Sequence, residues 1–114
     1  MSAKIFELQC SPHLSRALVA AIRGYVASHY PRGVADCAQA AREALLEVAQ
    51  NIETVCLTAE RVSLSRRLRT LLKLAVQEYC DEQAASAEVE QARMALLAAL
   101  QGEVVEDRLF AVLA

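Results

Sequence analysis

At 114 residues and a net charge of −2, the chain has room for one core of its own and no more, and its acid balance argues against a dedicated basic nucleic-acid-binding domain. More than half of it is apolar, mostly Ala, Leu and Val, with no Trp and only two Phe, which is a helical composition. Three glycines and two prolines leave little material for the turns of an all-β fold, and no apolar run reaches the length of a membrane span.

Residues 1–10 carry Ile5, Phe6 and Leu8, expected to pack on the rest of the chain, in a segment too short to classify. It lacks a long apolar run after its single Lys, so no signal peptide is expected. Ser11-Pro12 opens a helix over about 12–29, with Ser as N-cap and Pro at the first helical position, where its missing N–H costs nothing. Leu14, Leu18, Ala21, Ile22 and Tyr25 form its core stripe, and Pro31 and Gly33 end it. A second helix is predicted over 36–60, with Asp36 as N-cap. Cys37, Ala41, Ala44, Leu45, Val48, Ile52, Val55, Cys56 and Ala59 lie on one face, opposite Glu43, Glu47 and Gln50.

A break at Arg61-Val62-Ser63 precedes a third helix over 64–81, capped by Ser63 or Ser65, with Leu64, Leu68, Leu71, Leu72, Ala75 and Tyr79 on one stripe. The fourth helix, 86–101, has Ser86 as N-cap, Glu88 and Glu90 in its first turn, and Gly102 as terminator. Residues 103–114 carry Val105, Leu109, Phe110 and Leu113, apolar enough to need cover, either as a short fifth helix or as the contact of a homo-oligomer. The expected fold is an all-α, antiparallel, up-down-up-down four-helix bundle with a short C-terminal helical extension.

Cys10, Cys37, Cys56 and Cys80 show neither a CxxC nor a Cys-x-His spacing, so no zinc site is expected. Cys37 and Cys56, nineteen residues apart on one helix, are about 28 Å distant at 1.5 Å per residue, too far to bridge. Buried free thiols are the expectation, and with them a reducing, cytoplasmic compartment. His13 and His29 have no carboxylate three positions before them, which excludes the Glu-x-x-His pairs of a di-metal bundle, and His13 sits at a helix terminus rather than mid-helix as a phosphotransfer histidine would. With no Gly-rich phosphate loop and no nucleophile elbow, neither catalysis nor a cofactor or metal is expected.

The sharper signal is a run of charge. Arg61, Arg66, Arg67, Arg69 and Lys73 are five of the twelve basic residues and share their segment with no acid, whereas 78–107 holds eight acids and one base, Arg93. Arginines in the first turns of a helix oppose the macrodipole, and positions that break a local rule are enriched in function. These five, with Arg32 and Arg42 as additions, are candidates for phosphate contacts that read no sequence. A solvated helix face is the plainer reading of the same residues.

Tyr30-Pro31-Arg32 after the first helix, and Leu64, Leu68, Arg69, Leu71, Leu72, Lys73, Leu74 and Ala75 in the third, match an aromatic-Pro-Arg triplet and a pattern of the type LxxLRxLLRLA. In these features the chain resembles the accessory variability determinants of diversity-generating retroelements. Those proteins are similar to the four-helix bundles encoded in intervening sequences of bacterial large-subunit ribosomal RNA genes. The resemblance implies a ring-like homo-oligomer, a pentamer, that binds a reverse transcriptase and its RNA or DNA through basic surfaces. Two functions stand open: a non-catalytic nucleic-acid and reverse-transcriptase accessory protein, or an acidic adaptor that binds proteins and no nucleic acid.

Overall fold

The computed structural model describes residues 4–33 and 35–113; Ala114, the last residue of the predicted C-terminal segment, lies outside them. The chain is mostly helical, with a small two-stranded sheet. In order it forms β1 (Ile5–Gln9), α1 (Pro12–His29), α2 (Asp36–Val55), β2 (Arg61–Ser65), a 3₁₀ turn (Arg66–Leu68), α3 (Arg69–Asp81), α4 (Ala87–Ala99) and a C-terminal 3₁₀ helix (Asp107–Leu113).

The all-α expectation is corrected by the sheet. β1 and β2 pair antiparallel, with Phe6 opposite Leu64 and Leu8 opposite Val62. β2 alternates apolar and polar residues over five positions and β1 does so from Phe6 on, so one face of the ribbon buries Phe6, Leu8, Val62 and Leu64 while Ile5, Glu7, Arg61 and Ser63 face solvent. Leu64 therefore belongs to a period of two, not to the helical stripe that follows it. The third helix accordingly begins at Arg69, after a 3₁₀ turn in which Ser65 Oγ accepts from the Arg67 N–H at 3.3 Å.

α1 is the central helix. It buries eight residues and packs on α2, α3 and the C-terminal 3₁₀ helix, while α4 packs on α3 and on that same C-terminal piece. Its bounds are those that Ser11-Pro12 and Pro31 dictate. α2, by contrast, buries only Leu45, Ala49 and Ile52 fully. It lies against α1 from one side, so Ala41, Ala44 and Val48 of the predicted stripe are only half covered and Cys37 is exposed.

α2 stops at Val55, five residues before its predicted end, because Cys56 is bonded to Cys10, with their Cα atoms 5.0 Å apart. The chain must reverse there to enter β2, and the Cys10 N–H donates to the Glu60 carbonyl at 2.8 Å. The expectation of four free thiols is corrected by this disulfide: a reading of spacings along one helix tests Cys37 with Cys56 and misses a partner from the link between β1 and α1. Cys80 is a buried free thiol, and burial pushes its pKa up.

α4 starts as predicted, Ser86 Oγ accepting from the Val89 N–H at 3.1 Å, and Gly102 turns the chain out of it at φ 91°. The C-terminal segment is then tied back over α1. The Gln9 amide bridges both backbone groups of Val105 at 2.8 Å, and Tyr79 donates to the Leu113 carbonyl at 2.7 Å. Phe110 and Leu113 close the core at 1% and 2% exposure.

Candidate functional site

The basic residues divide into two groups. Arg66 and Arg67 are exposed in the 3₁₀ turn, Arg69 opens α3, and Lys73 is one turn further on. The sheet adds a base that the sequence reading missed. Because Ile5 pairs with Ser65, Lys4 stands across from Arg66, whose N–H donates to the Lys4 carbonyl at 2.9 Å. Two cations opposite one another on neighbouring strands repel, so a local excess of positive charge is built into the end of the ribbon. Alternation from Phe6 to Gln9 and from Arg61 to Ser65 was the available signal: the observed register, one of those that put both apolar faces inward, brings Lys4 to this place.

Arg61 is not in the cluster. It lies at the far end of β2, about 17 Å away at 3.4 Å per residue, and meets Glu7 at 4.0 Å. Arg32 sits exposed in the turn after α1, beyond His29, whose Nε2 is 2.6 Å from Glu78 on the last turns of α3. Arg42 donates to the Tyr30 carbonyl at 2.8 Å and so braces that turn.

Arg69 is held differently from its neighbours. Its guanidinium lies 4.4 Å above the Phe6 ring centroid, a cation–π contact that fixes the side chain against the ribbon. Its Nε is buried and makes no hydrogen bond among the described residues. Among those residues no carboxylate lies within ion-pair distance of Lys4, Arg67, Arg69 or Lys73.

α3 thus carries its charges against its own dipole at both ends, Arg66, Arg67 and Arg69 near the N-terminus and Glu78, Asp81 and Glu82 near the C-terminus. Two of the three acids at the C-terminal end have partners within the chain. Arg93 of α4 reaches Asp81 at 2.7 Å and Glu90 at 3.2 Å, and His29 faces Glu78. The helix is a rod of about 20 Å with bases gathered at its N-terminal end and acids, two of them partnered, at its C-terminal end.

The apolar residues predicted as an oligomer contact lie elsewhere in the fold's logic. Phe110 and Leu113 are spent in this chain's own core, and Val105 and Leu109 are partly covered against it, so the C-terminal segment needs no second copy for its burial. Among the described residues no group of three His, Cys, Asp or Glu is placed to hold a metal, and no helix is long and apolar enough to cross a membrane. His13 serves the fold: its ring meets Asp107, and the Asp107 carboxylate also takes the N–H groups of His13 and Leu14 at 3.1 and 2.9 Å. No family model, no curated protein and no solved structure matches this chain.

Proposed function

We propose that the protein is a non-catalytic helical accessory protein that contacts nucleic-acid phosphates through Lys4, Arg66, Arg67, Arg69 and Lys73. The observation that supports this reading is the distribution of charge along α3: Glu78 and Asp81 near its acidic end meet His29 and Arg93, while Lys4 joins its basic end across the ribbon and, among the described residues, Arg67, Arg69 and Lys73 have no carboxylate within ion-pair distance. Exposed and half-exposed cations gathered within a few turns engage phosphate oxygens by releasing counterions and read no base edges. Arg61, already near Glu7, and Arg32, on the turn after α1, contribute less. The resemblance to the retroelement accessory proteins adds a reverse transcriptase and a ring of like subunits, arranged as an antiparallel bundle, to the same proposal.

Titration of the protein with labelled duplex and single-stranded RNA over a range of salt tests the reading. Binding should be indifferent to sequence and should weaken with salt, by a slope of about −0.9 per duplex phosphate neutralised. Replacing Lys4, Arg67 and Lys73 by Gln should flatten that slope by up to about three units while the circular dichroism is unchanged. A wild-type protein that binds neither RNA at low salt overturns the reading. The adaptor alternative is favoured by a different observation, the half-covered apolar face of α2 flanked by a groove against β2 of about 560 Å³. It predicts no RNA binding and a protein partner lost on changing Val48 or Leu68 to Lys.

A further inference from the structure

A two-stranded ribbon has two outer edges, and this chain covers one of them. The bonds from the Cys10 N–H to the Glu60 carbonyl and from the Arg66 N–H to the Lys4 carbonyl fix the parity of the ladder. Between them Phe6 with Leu64 and Leu8 with Val62 are the hydrogen-bonded pairs, so Glu7, Gln9, Arg61 and Ser63 turn their main-chain groups outward. On the β1 side that edge is shielded. Gly102 passes so near that a Cβ on it would lie 3.8 Å from the Glu7 carbonyl oxygen, and the Gln9 amide ties Val105 beside it. On the β2 side Arg61 and Ser63 are exposed, and their N–H and C=O groups make no hydrogen bond among the described residues.

That open edge borders a groove of about 560 Å³ whose other wall is α2, lined from Ala44 to Thr54, about 15 Å at 1.5 Å per residue. The five residues of β2 extend about 17 Å, a matching length. The floor is apolar and not closed: Ala44, Val48 and Leu68 are each only half-buried, beside the buried Leu64. On the α2 wall the exposed Glu47 has no cation within ion-pair distance among the described residues, so the groove complements one positive charge. Unpaired edge groups select an extended main chain, and an apolar floor below them selects its side chains at alternate positions.

We propose that this groove takes an extended segment of another protein as a third, antiparallel strand on β2, with alternate apolar residues over Ala44, Val48 and Leu68 and a Lys or Arg at Glu47. A residue of that strand opposite Ser63 exchanges both main-chain bonds with it and has its side chain on the solvent face, as Ser63 does. The apolar residues between turn their own main-chain groups away from β2. A second copy of this chain fits less well, because its β2 edge is bordered by its own α2 and edge-to-edge pairing brings helix against helix. The inference rests on the groove that the adaptor alternative invokes and names its occupant. It stands whether or not RNA binds, since the cations of that reading lie beyond the end of β2 at Ser65.

The probe is a fluorescein-labelled, end-capped heptapeptide of alternating Thr and Val with a Lys added at one end, titrated by anisotropy with the full chain, disulfide intact. One saturable site is expected. Methylating the Thr amide nitrogens blocks the bonds to β2 and should abolish binding, whereas methylating the Val amide nitrogens, which face away, should leave it. Ser63→Pro removes a donor that the ribbon does not use and should weaken binding by about ten-fold. Glu47→Gln should weaken it by up to about five-fold at low salt. Circular dichroism checks both variants, and the methylated peptides probe the edge without altering the protein, so the proposal stays refutable even if Ser63→Pro fails to fold. Absence of a saturable site, equal binding of the two methylated peptides, an affinity unchanged in both variants, or a wild-type dimer that Ser63→Pro dissociates would each overturn it. Failure of the peptide leaves the adaptor alternative to its own test, the protein partner lost on Val48→Lys.

Discussion

The carboxylate of Asp107 caps the first turn of α1 from 94 residues beyond His13: its Oδ2 accepts from the His13 N–H at 3.1 Å, while its Oδ1 takes the Leu14 N–H at 2.9 Å. Ser11, the residue in the N-cap position, makes no side-chain cap of its own. Burial opposes the charge on Asp107, but hydrogen bonds from the Ser11 hydroxyl, the two N–H groups and the His13 ring outweigh it and hold its pKa at about 2. An ionised carboxylate only accepts, so His13 Nδ1, 2.8 Å away, carries the proton of that contact.

Replacing Asp107 by Ala should cost about 1–2 kcal/mol, the value of a lost N-cap, as measured by urea unfolding at neutral pH. The pH dependence has a definite sign. A carboxyl whose folded pKa is depressed stabilises the fold above the ordinary carboxylate range and loses that contribution as pH falls toward about 2. The stability gap between wild type and the Ala variant should therefore narrow between about pH 4 and pH 2. A gap that stays constant over that window would contradict the capping role.

Reduction of Cys10–Cys56 should lower stability without abolishing the fold. The bond spans 46 residues, for which chain entropy gives a contribution of about 4 kcal/mol. Urea curves with and without reductant measure it, and a Cys10→Ser, Cys56→Ser variant should match the reduced wild type. Thiol labelling gives a second check. In the oxidised native protein Cys37, which is exposed, should react at once, and Cys80, which is buried, only after unfolding.

Phe110 and Val112 are neighbours on the C-terminal 3₁₀ helix with opposite roles. Phe110 is 1% exposed and Val112 42%, so Phe110→Ala should cost about 3–5 kcal/mol and Val112→Ala under about 0.5 kcal/mol. Equal effects in denaturant melts would mean that the segment does not close the core as described.

What the sequence made legible was local. Ser11-Pro12 and Pro31 bracket α1, and Ser86 and Gly102 bracket α4, because caps and breakers act within a turn of themselves. The ribbon was hidden by a coincidence of periods. Leu64 and Leu68 fit a helical stripe as well as Val62 and Leu64 fit a strand, and five residues are too few to decide between them. The partner strand, Ile5–Gln9, lies more than fifty residues away, and the partner of Cys56 lies 46 residues away. The candidate site shows the same division: Arg66 to Lys73 are read directly from the run of bases, but Lys4 joins them only through pairing, and Arg61 leaves them for the same reason.

The bond between Cys10 and Cys56 makes a covalent ring of the chain between them, and the exposed turn carrying Arg32 lies inside that ring. A protease that cuts after Arg32 would open the backbone without releasing either piece. Residues 1–32 and 33–114 would stay one molecule, heavier by a single water, and would part only when a reductant is added. The nicked form should also remain folded, since the cut removes no residue of the core and the ribbon still joins β1 of the first piece to β2 of the second. Trypsin followed by electrophoresis, with and without dithiothreitol, would reveal a two-chain protein whose halves were made as one.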